Sequence, residues 1–337
     1  MRRYFFDRNF LRTGIQTFLA VVIFFSAVPV ILAASFSDIP AGHPYYSAVE
    51  SLKNLGVVKG YDDGTFRPDQ PVNRAEALKM VLLTAKVQVS PGLYQTDFPD
   101  VSLGDWFSGY VFFGQNLKVI NGNPDGTFAP ARQVNKAEFL KMAVLTFGID
   151  ISPYKTVQFA LARDIVNVSE WYVPYFNYAK TVGIVLPTIE NKLEPGKFLT
   201  RAECAEILYK MYILKNGGQT QELLSAAEAK LVDALIRIND GNFADGLTRA
   251  QEAVFYTQKA LETEPDSNVV QGANFITLGF QKLFEAYGAG MENDTEKLRS
   301  LAQEAKINAD QAVVKNGSLF DLASKLKELA DNLLAQA

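Results

Sequence analysis

The chain has 337 residues, 48% hydrophobic and 21% charged, with a formal charge of −4, the proportions of an ordinary globular protein of two or three domains. Residues 35–221 hold 18 basic and 18 acidic side chains, and residues 222–337 hold 11 and 18; neither block has the clustered positive charge that nucleic-acid binding needs. One cysteine, Cys204, and one histidine, His43, exclude an intramolecular disulfide, a Cys/His metal site and a Cys–His catalytic pair.

At the N-terminus Arg2, Arg3, Arg8 and Arg12 precede an apolar stretch from Ile15 to Leu32 that closes on Ala33-Ala34-Ser35. A basic start, an apolar core and a small-residue end read as an export signal over residues 1–34. The stretch is also near the minimum for a membrane span, so an uncleaved anchor is the alternative. Either way the remainder is exported.

A block then occurs twice at an offset of 62: Asp38 to Asp100, Gly64 to Gly126, Pro68 to Pro130 and Glu76 to Glu138. A worn third unit keeps Asp164-Ile165, Trp171-Tyr172 and Thr200-Arg201-Ala202-Glu203. Such self-similarity means a modular array, and the boundaries fall at residues 35–95, 96–158 and 159–215. Three units imply a pseudo-threefold arrangement with three related grooves.

Each unit reads as helix, glycine turn, helix. Tyr46, Val49, Leu52 and Leu55 recur at helical spacing. Asp63-Gly64 and Asp125-Gly126 make tight turns, followed by Phe66 and Phe128 as core anchors. The second helices start on Asn73, Asn135 and Thr200, each with a Glu three residues on, the pattern of a capping box. Arg74, Lys136 and Arg201 occupy the first helical position, where the helix dipole disfavours a cation. With the free amides of that turn they suit an anion; the plain alternative is a solvated surface charge.

These residues resemble the S-layer homology family, whose units open on Phe-x-Asp-Val, carry a Trp-aromatic pair and a Gly-Tyr-x-Asp-Gly-Thr-Phe-x-Pro turn, and close on Thr-Arg-Ala-Glu. The likeness covers about residues 36–212. It implies three units joined within one chain, first helices bundled around an axis, and non-covalent binding of a secondary cell-wall polysaccharide, often pyruvylated, in grooves between units. Carried over position by position, it implies carbohydrate contacts from the cations Arg74, Lys136 and Arg201, the acids Asp38, Asp100 and Asp164, Trp106 and Trp171, and Gly60 and Gly122. For each Asp a loop cap is the equal alternative. Unit one has Pro44-Tyr45 in place of the Trp pair, so Tyr45 stands in as its aromatic. Unit three has lost the Asp-Gly signal between Leu186 and Gly196. Unit two alone keeps Trp, turn and cation, which marks Lys136 as the leading ligand cation.

From residue 222 to 337 the pattern is helical throughout, with stripes such as Leu224/Ala227/Leu231/Leu235/Ile238 and Leu319/Leu322/Leu326/Leu329/Leu333. Pro265 ends the second helix and Gly288 the third. Short connections imply an antiparallel bundle. A tetratricopeptide-like run from Gly241 to Pro265 has no second copy, and no phosphate loop or acid/base pair stands out. The fold class is therefore mainly α: three helix-loop-helix repeats followed by a bundle. The chain reads as a non-catalytic wall-attached surface protein with no cofactor and no metal. Its partners are the wall polymer and, through the bundle, other surface-layer proteins. The alternative is a wall-anchored polysaccharide hydrolase with catalysis in the C-terminal block, which would need two positioned carboxylates.

Overall fold

The computed structural model describes residues 34–337 apart from 158, 189, 240 and 241. Residues 1–33 of the segment read as an export signal, Ile189 of the third turn and Gly241 lie outside the described residues. Among those described, the chain forms eleven α-helices and only isolated β-bridges, and no helix is long and apolar enough to cross a membrane.

The first unit contributes α1 (Tyr46–Asn54) and α2 (Arg74–Thr84), the second α3 (Ser108–Asn116) and α4 (Lys136–Thr146), and the third α5 (Val173–Thr181) and α6 (Arg201–Asn216). All three second helices begin with a complete capping box: the Asn73, Asn135 or Thr200 side chain accepts from the Glu amide, and the Glu carboxylate accepts from the cap amide. The turns are equally regular. Tyr61 N–H donates to Thr65 O at 2.9 Å and Asn123 N–H to Thr127 O at 2.8 Å. In the third unit Thr188 N–H donates to Lys192 O at 2.8 Å, so the turn survives without its Asp-Gly. Gly64 and Gly126 hold φ of +78° and +82°, and Asn191 takes their place at +55°. Asparagine is among the few non-glycine residues that tolerate this region.

The resemblance implied first helices gathered around an axis, and here the structure differs. Eight of the eleven α2 residues are buried against three of nine in α1, and a helix apolar on most faces belongs in the interior. Accordingly α2 touches both α4 and α6, while each first helix packs on the second helix of another unit: α1 on α6, α3 on α2, α5 on α4. Backbone hydrogen bonds at the hub close a cycle. Val72 N–H donates to Leu199 O, Leu199 N–H to Val134 O and Val134 N–H to Val72 O, at 3.1, 3.2 and 3.0 Å.

The C-terminal helices are α7 (Thr220–Asn239), α8 (Phe243–Thr263), α9 (Asn268–Met291), α10 (Thr295–Lys315) and α11 (Phe320–Gln336), each packed on the next. Asn242, Ser267 and Asp294 cap α8, α9 and α10. α9 runs through Gly288 to Met291 instead of ending there. Ala289 and Gly290 are buried against the bundle, and that packing outweighs the weak helix preference of glycine. Helix α6, at 16 residues, is longer than α2 and α4. Its Cys204, Leu208 and Met211 lie in the core of the repeats, and Tyr209 and Ile213 in the core of the bundle.

Candidate functional site

The three aspartates hold their turns. Asp38 accepts from the Phe66 and Arg67 amides at 2.7 Å each, Asp100 from Phe128 and Ala129 at 2.8 and 2.7 Å, and Asp164 from Leu193 and Glu194 at 2.9 and 2.7 Å. The second amide of each pair belongs to a residue with positive φ (Arg67 +59°, Ala129 +57°, Glu194 +53°). A carboxylate bonded through both oxygens stabilises that costly conformation. Gly60 and Gly122 make room for a neighbouring ring: a Cβ on Gly60 would come within 2.5 Å of Phe36, and one on Gly122 would strike Phe98.

The first-turn amides read as free for an anion are all occupied. Arg74, Lys136 and Arg201 N–H donate to the Arg132, Lys197 and Gln70 carbonyls at 2.8–2.9 Å, and the amides after them donate to Pro130, Pro195 and Pro68. Neighbouring units deliver those carbonyls, so no anion site remains on the helix ends themselves. The cationic side chains also reach across units. Arg201 Nε donates to Phe66 O at 2.9 Å and Nη2 to Lys59 O at 3.2 Å. Lys136 Nζ donates to Leu193 O at 2.9 Å and lies 3.4 Å from Glu194. Its side chain is 15% exposed, not solvated as its place at a helix start implied, and burial pulls its pKa below the ordinary lysine value against the pull of Glu194. Arg74 is buried, lies 5.1 Å from the Phe128 ring centre and 3.7 Å from Glu138, and leaves its Nε without an acceptor.

Grooves form where units meet, so the residues of one groove come from different units. Between units one and two lies a groove of about 260 Å³, lined by Gly60 and Tyr61 of the first turn, Glu76 and Lys79 of α2, Trp106 of unit two and Arg201 of unit three. Trp106 is 56% exposed, with the Lys79 amine 5.4 Å from its ring centre. Burial, then Lys59 and Arg201, holds Lys79 below the ordinary lysine pKa, with Glu76 opposing. At the next junction the same positions are Lys141 and Trp171; the amine lies 5.3 Å from the ring centre, and Trp171 is 51% exposed. An exposed indole offers a sugar face both area and a donor.

Between units three and one the corresponding groove is about 160 Å³ and is lined by Tyr45, Lys136, Leu186, Glu203 and Glu206, with Arg249 and Glu252 of α8 over it. Tyr45, expected on a sugar platform, instead accepts a hydrogen bond from Arg249 Nη2 at 2.9 Å. Beneath it Lys230 sits 3.1 Å from both Glu206 and Glu252, Lys210 3.2 Å from Glu252, and Arg249 2.8 Å from Glu252 and 2.9 Å from Asp233. Tyr256 donates to Glu206 at 2.8 Å. Burial pushes the Glu252 carboxyl up, but Lys210, Lys230 and Arg249 outweigh it and hold it well below the ordinary value.

Sequence reasoning missed Lys79 and Lys141. The signal was present: they share the offset of 62 and stand one helical turn beyond the capping Glu of their helices. No group of His, Cys, Asp and Glu among the described residues forms a metal cluster.

The S-layer homology domain model matches residues 35–78 and 97–140, the first two units. The chain is 27% identical over 176 residues to an S-layer protein of Bacillus thuringiensis subsp. finitimus, covering 52% of this chain and 21% of that one. It is 34% identical over 106 residues to a surface layer protein of Brevibacillus choshinensis, covering 31% and 10%. Over 174 residues it is 25% identical to an uncharacterized cell wall amidase of Bacillus anthracis, covering 48% and 32%. The chain thus matches only a minor part of the length of these relatives. The likeness to the S-layer homology domain is carried by the first two units, which its model matches.

Proposed function

We propose that this is an exported cell-surface protein held to the cell wall without a covalent bond. Residues 35–215 act as three S-layer homology repeats in a pseudo-threefold arrangement, which the cycle of hydrogen bonds through Val72, Val134 and Leu199 supports. Residues 222–337 form the displayed domain. The ligand is an anionic, pyruvylated secondary wall polysaccharide that enters grooves between units. One observation carries the reading: in a chain whose first two units match the S-layer homology domain, an exposed tryptophan and a lysine amine face the same groove, at Trp106 and Lys79. The indole takes a sugar face, and the amine takes a carboxylate.

The working chain is non-catalytic on this reading. A wall-anchored hydrolase is the second reading, and the name of the amidase relative favours it. Against it, the acids Glu206 and Glu252 of the C-terminal contact are ion-paired with lysines instead of facing open space. Sedimentation of the exported chain with purified sacculi, before and after extraction of the secondary polymer, tests the proposal. Binding that disappears on extraction is expected; equal binding to stripped sacculi would refute it.

A further inference from the structure

The groove between units three and one departs from the other two wherever a ligand would be met. Aligned on the starts of the first helices, Pro44 stands where Trp106 and Trp171 stand. Aligned on the capping glutamates, Glu206 stands where Lys79 and Lys141 stand. One change removes the exposed indole and the other reverses the charge.

The bundle fills what is missing. A lysine again faces an aromatic ring there, but it is Lys230 of α7, 4.4 Å from the centre of Tyr45. Lys210, Lys230 and Arg249 are matched by Glu206, Glu252 and Asp233, so no positive charge is left over for an anion. The first-position cation of this groove, Lys136, is already bonded to Leu193 O and paired with Glu194.

The first groove has the opposite balance. Lys59, Lys79 and Arg201 face Glu76 alone, and among the described residues no carboxylate lies within ion-pair distance of Lys79 or of its counterpart Lys141. Lys79 is held below the ordinary lysine pKa by burial first and then by Lys59 and Arg201, and an arriving anion favours its charged form.

We infer that the chain offers two grooves, not three, to the wall polymer and has converted the third into an internal dock that fixes the bundle to the repeats. Lys79 and Lys141 select for the anion in the two open grooves. This rests on the saccharide reading of the grooves, and the test separates the two.

Calorimetric titration of the full chain uses a short wall-polymer fragment bearing a pyruvate ketal, with the same fragment stripped of its ketal as control. Two sites per chain are expected, with weaker binding of the stripped fragment. Lys79→Ala and Lys141→Ala should each halve the capacity, and the double variant should abolish it. In parallel, hydroxyl-radical labelling of the unmodified chain should mark Trp106 and Trp171 heavily and spare Tyr45. Three sites, one site, or an unchanged capacity in either lysine variant would overturn the count. Labelling of Tyr45 to the level of the tryptophans would overturn the dock, even with two sites filled. Failure of the unmodified chain to bind either fragment would refute the saccharide reading and the count with it, and Tyr45 labelling would then decide the dock alone.

Discussion

At the junction of units one and two, α2 presents Lys79 to an exposed tryptophan, and the space in front of them is open. At the junction of units three and one, α6 presents Glu206 to Lys230, which faces the Tyr45 ring, and α8 lies across the space. The two places share a capping box, an aspartate clip and a cation reaching from another unit. The difference shows that a repeat scaffold survives a complete change in the side chains that line its grooves. The scaffold depends on backbone bonds and small apolar residues, while the groove depends on two or three side chains that the scaffold does not use.

The largest effect that would break this comparison is at the closed groove. Glu252→Ala removes one partner from a buried cluster of cations, a change that costs about 3–5 kcal/mol. Denaturant titration should show that loss, and a loss under about 1 kcal/mol would mean that the cluster does not hold the bundle in place. Acid should act on the same group. The Glu252 carboxyl is held well below its ordinary 4.5, so its contribution is complete above pH 4.5 and fades as the pH falls through the folded value. The wild-type chain should therefore lose more stability than Glu252→Gln on acidification, and parallel acid profiles would contradict the assignment.

A smaller loss is expected where the two grooves agree. Asp100→Ala frees two turn amides that now bond to a carboxylate and should destabilise by about 2–3 kcal/mol, measured as a shift in unfolding midpoint. Asp38→Ala should behave alike, since its two bonds have nearly the same lengths. Thr200→Ala should lose about 1 kcal/mol through the helix cap, and a neutral result would make the third box ornamental. Smallest of all on stability is Lys79→Ala, within about 0.5 kcal/mol as for most partly exposed side chains away from the core. The same variant should weaken sedimentation with sacculi. A Lys79→Ala chain that melts early yet binds fully would turn the open groove into a structural feature.

Much of this was legible in the linear chain because it is local. Spacing, capping pairs and turn glycines act over a few residues, so the helix order, the three capped starts and the two Asp-Gly turns followed from the amino acids alone. The third turn was not legible. Its Asn191 replaces a glycine through a tolerance for positive φ that leaves no motif. The aspartates were half legible: their recurrence marked them, but their partners lie 28–30 residues away along the chain.

The amino-acid sequence by itself determined the repeat, the S-layer homology match of its first two units and the division of charge between the two halves, since each depends on residue type and spacing. Only the tertiary structure decided which residues share a groove, because a groove draws Arg201, Lys79 and Trp106 from three units, with Lys79 and Arg201 122 positions apart. It also decided that Tyr45 faces Arg249, a contact across 204 residues. No local pattern encodes such a pairing. It exists because α6 extends past the length of its counterparts, carries one core into the next, and brings the buried charges of α7 and α8 against unit one.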